Sequence, residues 1–558
     1  MNIRLASALS AAMLFAASLS ACVPAAPLWG VYEKPTASDA ASATPPSVLL
    51  GPFTPTADST AGVTPRESAG PASVEAAPTS TLGPSGVATV TPTFAGVPLL
   101  YYAQSGDTLP SIARRFAVEP GEISSSAVLP GTGLIDPGTL MVVPDRIEKA
   151  TSPNVQIMPD NEIIFSATGL DFDVQQFVED ANGYLATYRD YPGSIGWLDG
   201  YEVIERLALE NSINPRLLLG LLEYESRWVR GQPVDVLHEE YPMGFQDYRY
   251  KGMYIQISWA IKQVSNGYYG WRAGTLTDLG FADGTSLRLD PRLNAGTVAI
   301  QYLFSRSHSQ SQWAQIIDPQ TGFPAMYREM FGDPWVRADL VDPILPPDLS
   351  QPPMVLPYET GVEWSLTGGP HNAWGQYREA DAGSNESNPE LHGALAAIDF
   401  APSTEHGGCE ATPTWILASA PGLVVRSGSG VVMIDMDGDG FEQTGWDILY
   451  MHVATKDRVE VGTWVETDDR LGHASCEGGV STGTHLHFAR KFNGEWIAAD
   501  GPVPLVLDGW RVIAGRKPYE GEMMNGDRIV TADPVGQKWS NIFREESGNG
   551  AAEEDSDQ

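Results

Sequence analysis

Residues 481–496 read STGTHLHFARKFNGEW and decide the fold of the C-terminal part of the chain. On a β-strand, successive side chains point to opposite faces. His485 and His487 therefore share one face, while Leu486 and Phe488 share the other. The apolar pair can pack into a core while both imidazoles enter a cleft. The stretch predicts a strand of an all-β domain that carries its chemistry on one face.

Two upstream segments show the same alternation. In ALAAIDFAP, residues 394–402, Asp399 alternates with apolar residues, so a strand presents a carboxylate opposite its core side. In WDILYMHVA, residues 446–454, the alternation places Tyr450 and His452 on one face and three apolar residues on the other. We therefore expect Asp399 and His452 to lie in the same cleft as the two histidines above.

Histidine clustering suggests what the cleft does. Seven of the nine histidines lie between His371 and His487. Zinc suits such a set, because catalytic zinc sites take three nitrogen or oxygen ligands and keep a fourth position for water. The ion lowers the pKa of that water and polarises a scissile carbonyl. Histidines that do not bind the ion can act as base or oxyanion stabiliser.

These segments, together with GGPHNAWG, TGWDILYMHV and LGHASCEGG, resemble the lysostaphin-type zinc endopeptidases of peptidoglycan. The similarity covers roughly residues 362–515, within an all-β domain that we place at residues 353–535. Carried over position by position, it implies zinc ligands, a residue that activates water and one that stabilises the oxyanion. The implied zinc ligands are His371, Asp399 and His487. His485 is the implied residue that activates water, and His452 is the implied residue that stabilises the oxyanion.

One departure from the family leaves the first ligand open. Family members commonly separate the first histidine from the aspartate by a few residues, whereas His371 and Asp399 enclose a polar insertion. His392 is nearer to Asp399 and remains an alternative. We prefer His371 because the GGPH run resembles a longer-spaced branch of the family. His406 and His473 are expected to be loop residues and not ligands.

The segment DMDGDGF invites a calcium interpretation. It places Asp435, Asp437 and Asp439 at every second position, as at the start of an EF-hand loop. Trp446 stands where that loop requires a glutamate. An Asp-Gly turn of a β-hairpin explains the segment at least as well. Both interpretations stay open.

Length and charge bound the remaining possibilities. The chain has 558 residues, which predicts two to four domains, and its 57 glycines and 43 prolines indicate many loops and a linker. Its 34 Lys+Arg and 70 Asp+Glu give a formal net charge of −36 at pH 7. A surface of this sign repels a phosphate backbone, and the sequence contains no basic patch. We therefore expect no nucleic-acid partner.

The N-terminus resembles a bacterial lipoprotein signal. Arg4 precedes a short apolar run, and small residues lead to Cys22. The resemblance implies removal of residues 1–21, a lipid on Cys22 and a protein anchored outside the cytoplasm. Residues 22–98 are rich in Pro, Ala, Ser and Thr and predict a tether.

Cysteine usage fits that compartment. Without Cys22, the three cysteines reduce to Cys409 and Cys476. Secreted proteins meet an oxidising environment, so we predict a disulfide between these two.

Residues 99–146 predict a β-α-α-β module. A strand is followed by a helix opened by Asp107 and Thr108, with Pro110 in its first turn, and a Pro-Gly turn precedes the last strand. The order resembles the LysM carbohydrate-binding module. The resemblance implies binding to glycans that contain N-acetylglucosamine, such as peptidoglycan.

Residues 160–347 are predicted to be mainly helical. The runs NPRLLLGLLEYESRWV, MYIQIS and LNAGTVAIQYL resemble lytic transglycosylases and lysozyme-like domains. The resemblance implies that Glu225 ends a helix and acts as a general acid, which requires a raised pKa. Glu223 points to another helix face. The run before Gln256 is one residue longer than in that family, so a glycan-binding, noncatalytic domain is an equal alternative.

The sequence thus predicts a multidomain cell-envelope peptidoglycan hydrolase. A LysM module grips the wall, a lysozyme-like helical domain contacts or cuts glycan, an all-β zinc domain cuts peptide cross-links, and an acidic, disordered tail occupies residues 545–558. Two alternatives remain. One is a noncatalytic wall-binding or hydrolase-activating lipoprotein, and the other is a glycan-cleaving transglycosylase that uses Glu225.

Overall fold

The computed structural model describes residues 97–341, 343–374, 393–403, 408–409 and 412–545. The expected signal peptide, Cys22 and nearly all of the tether lie outside these ranges, as do His392, His406 and the tail from residue 546. Within the described residues, no helix combines the length and apolar character that crossing a membrane requires.

The first module is a small α/β unit. Its elements are β1 (Leu99–Tyr102), α1 (Leu109–Phe116), a one-turn 3-10 helix (Pro120–Glu122), β2 (Ser124–Ser125) and β3 (Leu140–Val143). Strand β3 lies between β1 and β2 in an antiparallel sheet. Thr108 caps α1 by accepting a hydrogen bond from the Ser111 N–H. The expected second helix is only a single turn, because pairing with β3 draws the chain into an extended conformation immediately afterwards.

The middle region is helical, as predicted. Its helices are α2 (Val174–Ala181), α3 (Gly200–Asn211), α4 (Pro215–Ser226), α5 (Val236–Glu240), α6 (Met253–Arg272), α7 (Ala295–Ser307), α8 (Gln310–Ile316), α9 (Phe323–Phe331) and α10 (Pro334–Ala338). Two small hairpins interrupt them: β4 (Arg189–Asp190) with β5 (Leu198–Asp199), and β6 (Asp278–Gly280) with β7 (Ser286–Arg288). The Asn214 side chain accepts the Arg216 N–H at the start of α4, and Arg227 ends that helix in the left-handed conformation.

The C-terminal region is mainly β, which confirms the predicted class. Its strands are β8 (Glu363–Asn372), β9 (Leu395–Pro402), β10 (Trp415–Leu417), β11 (Gly422–Gly428), β12 (Val431–Asp435), β13 (Trp446–Met451), β14 (Trp464–Val465), β15 (Arg470–His473), β16 (Leu486–Phe492), β17 (Glu495–Trp496), β18 (Val506–Leu507), β19 (Trp510–Ala514), β20 (Gly521–Asn525), β21 (Arg528–Thr531) and β22 (Asn541–Phe543). A nine-stranded antiparallel sheet has the order β14-β11-β12-β13-β16-β9-β8-β22, with β17 paired to β16. Its last strand lies beyond residue 535, the expected end of the domain.

The two faces of this sheet differ. One face packs into a large buried apolar cluster, to which Leu486 and Phe488 contribute. The opposite face carries a smaller cluster that includes Leu449 and Met451. Met451 pairs across the strands with His487, so the second face is the one that presents the catalytic candidates.

The three regions pack into one compact unit. Arg272, at the end of α6, donates hydrogen bonds to the Ser105 carbonyl of the first module and to the Glu495 carboxylate of the β-region. Tyr268 also donates to Glu495, at 2.8 Å. Gln104 of the first module donates to the Arg292 carbonyl of the helical region at 2.9 Å. The described regions are therefore not loosely tethered domains.

Candidate active site

The register of three strands brings the site together. His487 on β16 lies directly opposite Asp399 on β9, and Asp399 lies opposite Gly368 on β8. A Cβ at position 368 would stand 2.7 Å from Asp399 Oδ2, so glycine leaves the space that this carboxylate occupies. Strand β8 is irregular beyond Gly368, and this irregularity places His371 opposite Ala397.

Three side-chain atoms converge at this point. His371 Nε2 stands 3.3 Å from Asp399 Oδ1, and His487 Nδ1 stands 3.2 Å from the same oxygen. The two ring nitrogens are 3.0 Å apart. All three residues are buried.

Hydrogen bonds on the far side of each ring determine its tautomer. His371 Nδ1 donates to the Gly369 carbonyl at 2.8 Å, and His487 Nε2 donates to the Ala373 carbonyl at 2.8 Å. Because a carbonyl only accepts, these nitrogens carry the ring protons. The inward nitrogens of both rings therefore present lone pairs. Such partners orient metal-binding histidines in general.

This arrangement fits a cation. Among the described residues, the buried Asp399 Oδ1 has no hydrogen-bond partner, although two ring nitrogens face it. Three lone-pair atoms within 4.8 Å of one another repel unless a positive charge lies between them. Two imidazole nitrogens and one carboxylate oxygen are ligands that zinc accepts, with a fourth position left open.

The charge states agree with ligand roles. Burial opposes a charge on Asp399, but the neighbouring His371, His487 and His485 outweigh it and hold the pKa of this carboxyl well below its usual range. Burial lowers the pKa of His487. A carboxylate and a neutral imidazole are the forms that bind a metal.

His485 and His452 lie beside the three converging atoms. His485 Nδ1 donates to the Gly483 carbonyl at 2.7 Å, and its Nε2 stands 3.8 Å from Asp399 Oδ1. The His452 ring centroid is 4.3 Å from that of His485, and His452 Nδ1 donates to the Glu477 carbonyl at 3.0 Å. Each ring thus keeps its Nε2 for chemistry. Burial lowers the pKa of His452 to about 3.

The route by which His452 reaches the site differs from our expectation. We expected Tyr450 and His452 to share one face, but Tyr450 is buried in the apolar cluster on the opposite face, where its hydroxyl accepts the Ser419 N–H. His452 follows the last residue of β13 and has φ of +66°. This left-handed backbone ends the alternation and turns the ring into the cleft. Non-glycine residues in this conformation cluster at functional sites.

The helical region holds a second candidate, Glu225, in the last turn of α4. Its side chain is 12% exposed, and burial raises the pKa of its carboxyl to about 8. His308 Nε2 stands 3.9 Å from Glu225 Oε1, and no hydrogen bond to this carboxyl is found among the described residues. The raised pKa is the property expected of Glu225.

A buried glutamine holds the segment in front of this carboxyl. Gln256 accepts the Met243 N–H at 3.1 Å and donates to the Phe245 and Tyr250 carbonyls at 2.7 Å each. A Cβ at the intervening Gly244 would stand 3.2 Å from Glu225 Oε2.

Glu223 is engaged elsewhere. Its carboxylate accepts the Val229 and Arg230 N–H groups and pairs with the Arg230 guanidinium at 3.3 Å. It stabilises the turn after α4, and its hydrogen bonds are made to Val229 and Arg230.

The C-terminal region and the helical region match two different protein-family models. Residues 404–499 match the model described as peptidase family M23. The C-terminal region contains an M23 metallopeptidase domain. Residues 156–345 match a different model, the N-terminal domain of LasA. This match nearly coincides with the helical region, whose lysozyme-like character stays a prediction, as does the LysM character of residues 99–146.

Two curated proteins resemble parts of the chain. Protease LasA of Pseudomonas aeruginosa strain UCBPP-PA14 is 24% identical over 346 residues, which are 58% of this chain and 73% of that protein. The β-lytic metalloendopeptidase of Lysobacter enzymogenes is 24% identical over 165 residues, 29% of this chain and 81% of that protein. A solved structure, the M23 metalloprotease pseudoalterin from the deep sea, is 21% identical, with a TM-score of 0.26, and covers 35% of this chain and 99% of its own.

The M23 match contains only part of the candidate site. His452, His485 and His487 lie inside residues 404–499, whereas His371 and Asp399 lie upstream. The strand register brings both upstream residues to the histidines of the matched segment.

Tyr519 is a site residue of the M23 domain that we missed. Its ring stacks on His371 with 4.1 Å between the centroids. The Tyr519 N–H donates to the Pro370 carbonyl, and its own carbonyl accepts the Gly369 N–H. Tyr519 lies 148 positions after His371 in the chain, between β19 and β20, so no local pattern marks it.

The structure also tests the predicted disulfide and the predicted position of His473. Cys409 and Cys476 form the predicted disulfide, with 5.3 Å between their Cα atoms. His473 lies outside the cluster, but it ends strand β15 instead of lying in a loop. Its Nδ1 donates to the Thr414 carbonyl at 3.1 Å, because pairing with β10 places it beside that segment.

Proposed function

We propose that the protein is a zinc-dependent endopeptidase that cleaves peptide cross-links of bacterial peptidoglycan. One observation carries the proposal: the inward lone pairs of His371 Nε2, His487 Nδ1 and Asp399 Oδ1 converge while the far side of each ring is hydrogen-bonded to a carbonyl. The similarity to the M23 family and to a β-lytic metalloendopeptidase supports the reaction class.

In the proposed mechanism, His371, Asp399 and His487 hold the zinc ion. When bound, zinc polarises the scissile carbonyl and lowers the pKa of a water molecule. His485 Nε2 takes a proton from the attacking water, while the Gly483 carbonyl keeps the ring in the required orientation. The same proton then passes to the leaving amine.

His452 acts on the other side of the carbonyl. Its Nδ1 proton is held by the Glu477 carbonyl, and its pKa of about 3 keeps the resting ring neutral. Nε2 can therefore donate to the oxyanion only after it takes up a proton as negative charge develops beside it. The positive ring that results stabilises developing negative charge better than a neutral donor does. The products are a carboxylate and an amine.

Attachment to the wall belongs to the same proposal. A LysM-like module at residues 99–146 binds glycan, and a lipid on Cys22 holds the protein to the cell envelope, outside the cytoplasm. Both contacts raise the local concentration of cross-links, so weak glycan binding is sufficient. Because a net charge of −36 repels a phosphate backbone, the proposal includes no nucleic-acid partner.

The test uses the protein from residue 97 onward, because its three regions pack as one unit. We expect about one zinc ion per chain and new peptide termini when purified peptidoglycan is digested and analysed by mass spectrometry. His487→Ala should lose both properties. His473→Ala, a histidine outside the cluster, is the matched control and should keep both. Absence of zinc and of new termini in the unmodified protein would favour the noncatalytic wall-binding or hydrolase-activating alternative.

Glycan cleavage by the helical region is a second candidate function. The observation that favours it is the Glu225 carboxyl, which lies at a helix end without a hydrogen bond among the described residues and whose pKa burial raises to about 8. A carboxyl protonated at neutral pH can protonate a glycosidic oxygen. Glu225→Gln should then abolish release of glycan fragments, whereas Glu179→Gln on the exposed side of α2 should not. Unchanged glycan strands with the unmodified protein would leave this region a binding domain.

A further inference from the structure

The loop between β12 and β13 gathers acidic side chains far from the zinc candidates. Asp435, Asp437 and Asp439 each place one carboxylate oxygen within 4.8 Å of the others. This spacing is about twice the ~2.4 Å of a calcium–oxygen bond. Asp435 is fully buried, whereas the other two are exposed. By themselves, three acidic residues in a turn show no site.

A fourth carboxylate makes the cluster unusual. Asp447 lies directly opposite Asp435 on the neighbouring strand, so both side chains lie on the same face of the sheet. Asp447 is 0% exposed, and among the described residues neither of its carboxylate oxygens has a hydrogen-bond partner. Burying a carboxylate without any partner is costly. The structure therefore lacks a group that would satisfy it.

Two neighbouring cations contact Glu442, and neither donates a hydrogen bond to Asp447. Lys491 lies opposite Asp447 in the register, but its Nζ donates to Glu442 Oε2 at 2.6 Å. Arg426 donates to the same oxygen at 3.0 Å. Around this point five carboxylates meet two cationic side chains, which leaves an excess of negative charge.

The pKa values reflect this excess. Burial, reinforced by Glu442, Asp435 and Asp437, raises the pKa of Asp447 well above its usual range, although Lys491 opposes the shift. Burial and the adjacent Asp435 raise the pKa of Asp437 to about 6.

We propose that Asp435, Asp437, Asp439 and Asp447 bind a calcium ion. The ligands are all carboxylate oxygens, which suit calcium better than zinc, and calcium accepts six to eight oxygen ligands in flexible geometry. Asp435 Oδ1 accepts the Asp437 and Gly438 N–H groups at 3.1 and 3.0 Å, and Oδ2 accepts the Gly440 N–H at 2.8 Å, so Oδ2 retains a further lone pair.

Gly445 leaves space for one of the proposed ligands. A Cβ at position 445 would stand 2.1 Å from Asp437 Oδ2, so a side chain there would displace that carboxylate. The Trp464 ring closes the other side, since a Cβ at Gly438 would stand 2.7 Å from it.

The site has a structural consequence for the catalytic region. Asp447 lies near the start of β13, and His452 follows directly after the end of that strand. A cation that joins Asp435 to Asp447 fixes β12 against β13 and thereby stabilises the strand that leads to His452. We expect calcium to raise thermal stability without taking part in the reaction.

The test uses the zinc-loaded protein, freed of calcium on a chelating resin and titrated with Tb³⁺, Ca²⁺ or Mg²⁺. Trp464 should sensitise Tb³⁺ luminescence, and Ca²⁺ should displace the signal at lower concentration than Mg²⁺. Asp439→Asn, at an exposed position where the amide oxygen can still accept a hydrogen bond within the turn, should weaken Ca²⁺ binding by about tenfold or more. Asp527→Asn, in another exposed turn, is the matched control and should bind Ca²⁺ as the unmodified protein does.

Asp447→Asn separates a cation site from a merely protonated acid. Without Ca²⁺ the variant should melt at a higher temperature than the unmodified protein, because an unpaired buried carboxyl is removed. With saturating Ca²⁺ the order should reverse. The proposal is overturned if Ca²⁺ does not bind, if Asp439→Asn binds it equally well, or if the Asp447→Asn difference has the same sign in both conditions.

Discussion

His487 lies directly opposite Asp399 on neighbouring antiparallel strands, and its Nδ1 stands 3.2 Å from the Asp399 Oδ1 atom. This cross-strand pair couples the metal candidates to the register of the sheet. A displacement of either strand, or of the carboxylate between them, therefore changes the site directly.

Gly368→Ala tests that coupling. The new Cβ would stand 2.7 Å from Asp399 Oδ2 and push the carboxylate away from the two histidines. We expect zinc affinity and peptide cleavage to fall about 10- to 100-fold, measured by metal analysis and by release of peptide termini. Gly501→Ala is the control, since its Cβ meets only Ala498 at 3.7 Å. Equal zinc affinity in both variants would contradict the steric argument.

His452→Asn separates catalysis from metal binding. Asparagine tolerates the left-handed conformation that His452 adopts, with φ of +66°, so the fold should persist. We expect the variant to keep its zinc and to lose about 10²- to 10⁴-fold in cleavage rate, the usual contribution of an acid–base group. His487→Ala should instead lose the zinc. Retained activity in His452→Asn would remove this residue from the mechanism.

Arg272→Met tests the junction of the three regions. Arg272 lies 3.1 Å from both Glu495 Oε2 and Asp160 Oδ2 and also donates to the Ser105 carbonyl. Its loss leaves a buried Glu495 without its cation, which costs about 3–5 kcal/mol in free energy of unfolding. Arg189→Met, at an exposed ion pair, should cost under about 1 kcal/mol. Urea titration followed by circular dichroism measures both, and similar costs would mean that Arg272 does not hold the junction.

Glu225 makes stability depend on pH in a defined direction. Its folded pKa of about 8 exceeds the unfolded value of about 4.3, so the native state retains a proton that the unfolded state releases. The associated stability is complete below about pH 4.3 and is lost as the pH rises towards 8.

The Glu225→Gln variant removes that dependence. It should match the unmodified protein near pH 4 and exceed its free energy of unfolding by up to about 5 kcal/mol above pH 8. The nearby His308, whose pKa burial lowers, is present in both proteins. Glu179→Gln serves as the control in urea titrations at each pH. A difference that stays constant between pH 5 and 8 would show that Glu225 is ionised in the native state.

Local sequence patterns determined much of the M23 domain. Side chains along a strand alternate between its two faces, so the order of residues in HLHF was enough to place His487 on the face opposite Leu486 and Phe488. The same rule placed Asp399. The all-β class and the Cys409–Cys476 disulfide also followed from the sequence. The strand faces and the all-β class were predicted from residues that are neighbours along the chain. The disulfide was predicted from the number of cysteines.

Contacts between distant segments decided the rest. His452 enters the cleft because its backbone leaves the strand conformation, so the alternation that we applied to WDILYMHVA was wrong at Tyr450. Tyr519 stacks on His371 across 148 positions. The register of β12 and β13 places Asp447 opposite Asp435, where neither of its oxygens has a hydrogen-bond partner among the described residues. Which groups meet in a folded chain depends on strand register and burial, and neither is encoded within a single short segment.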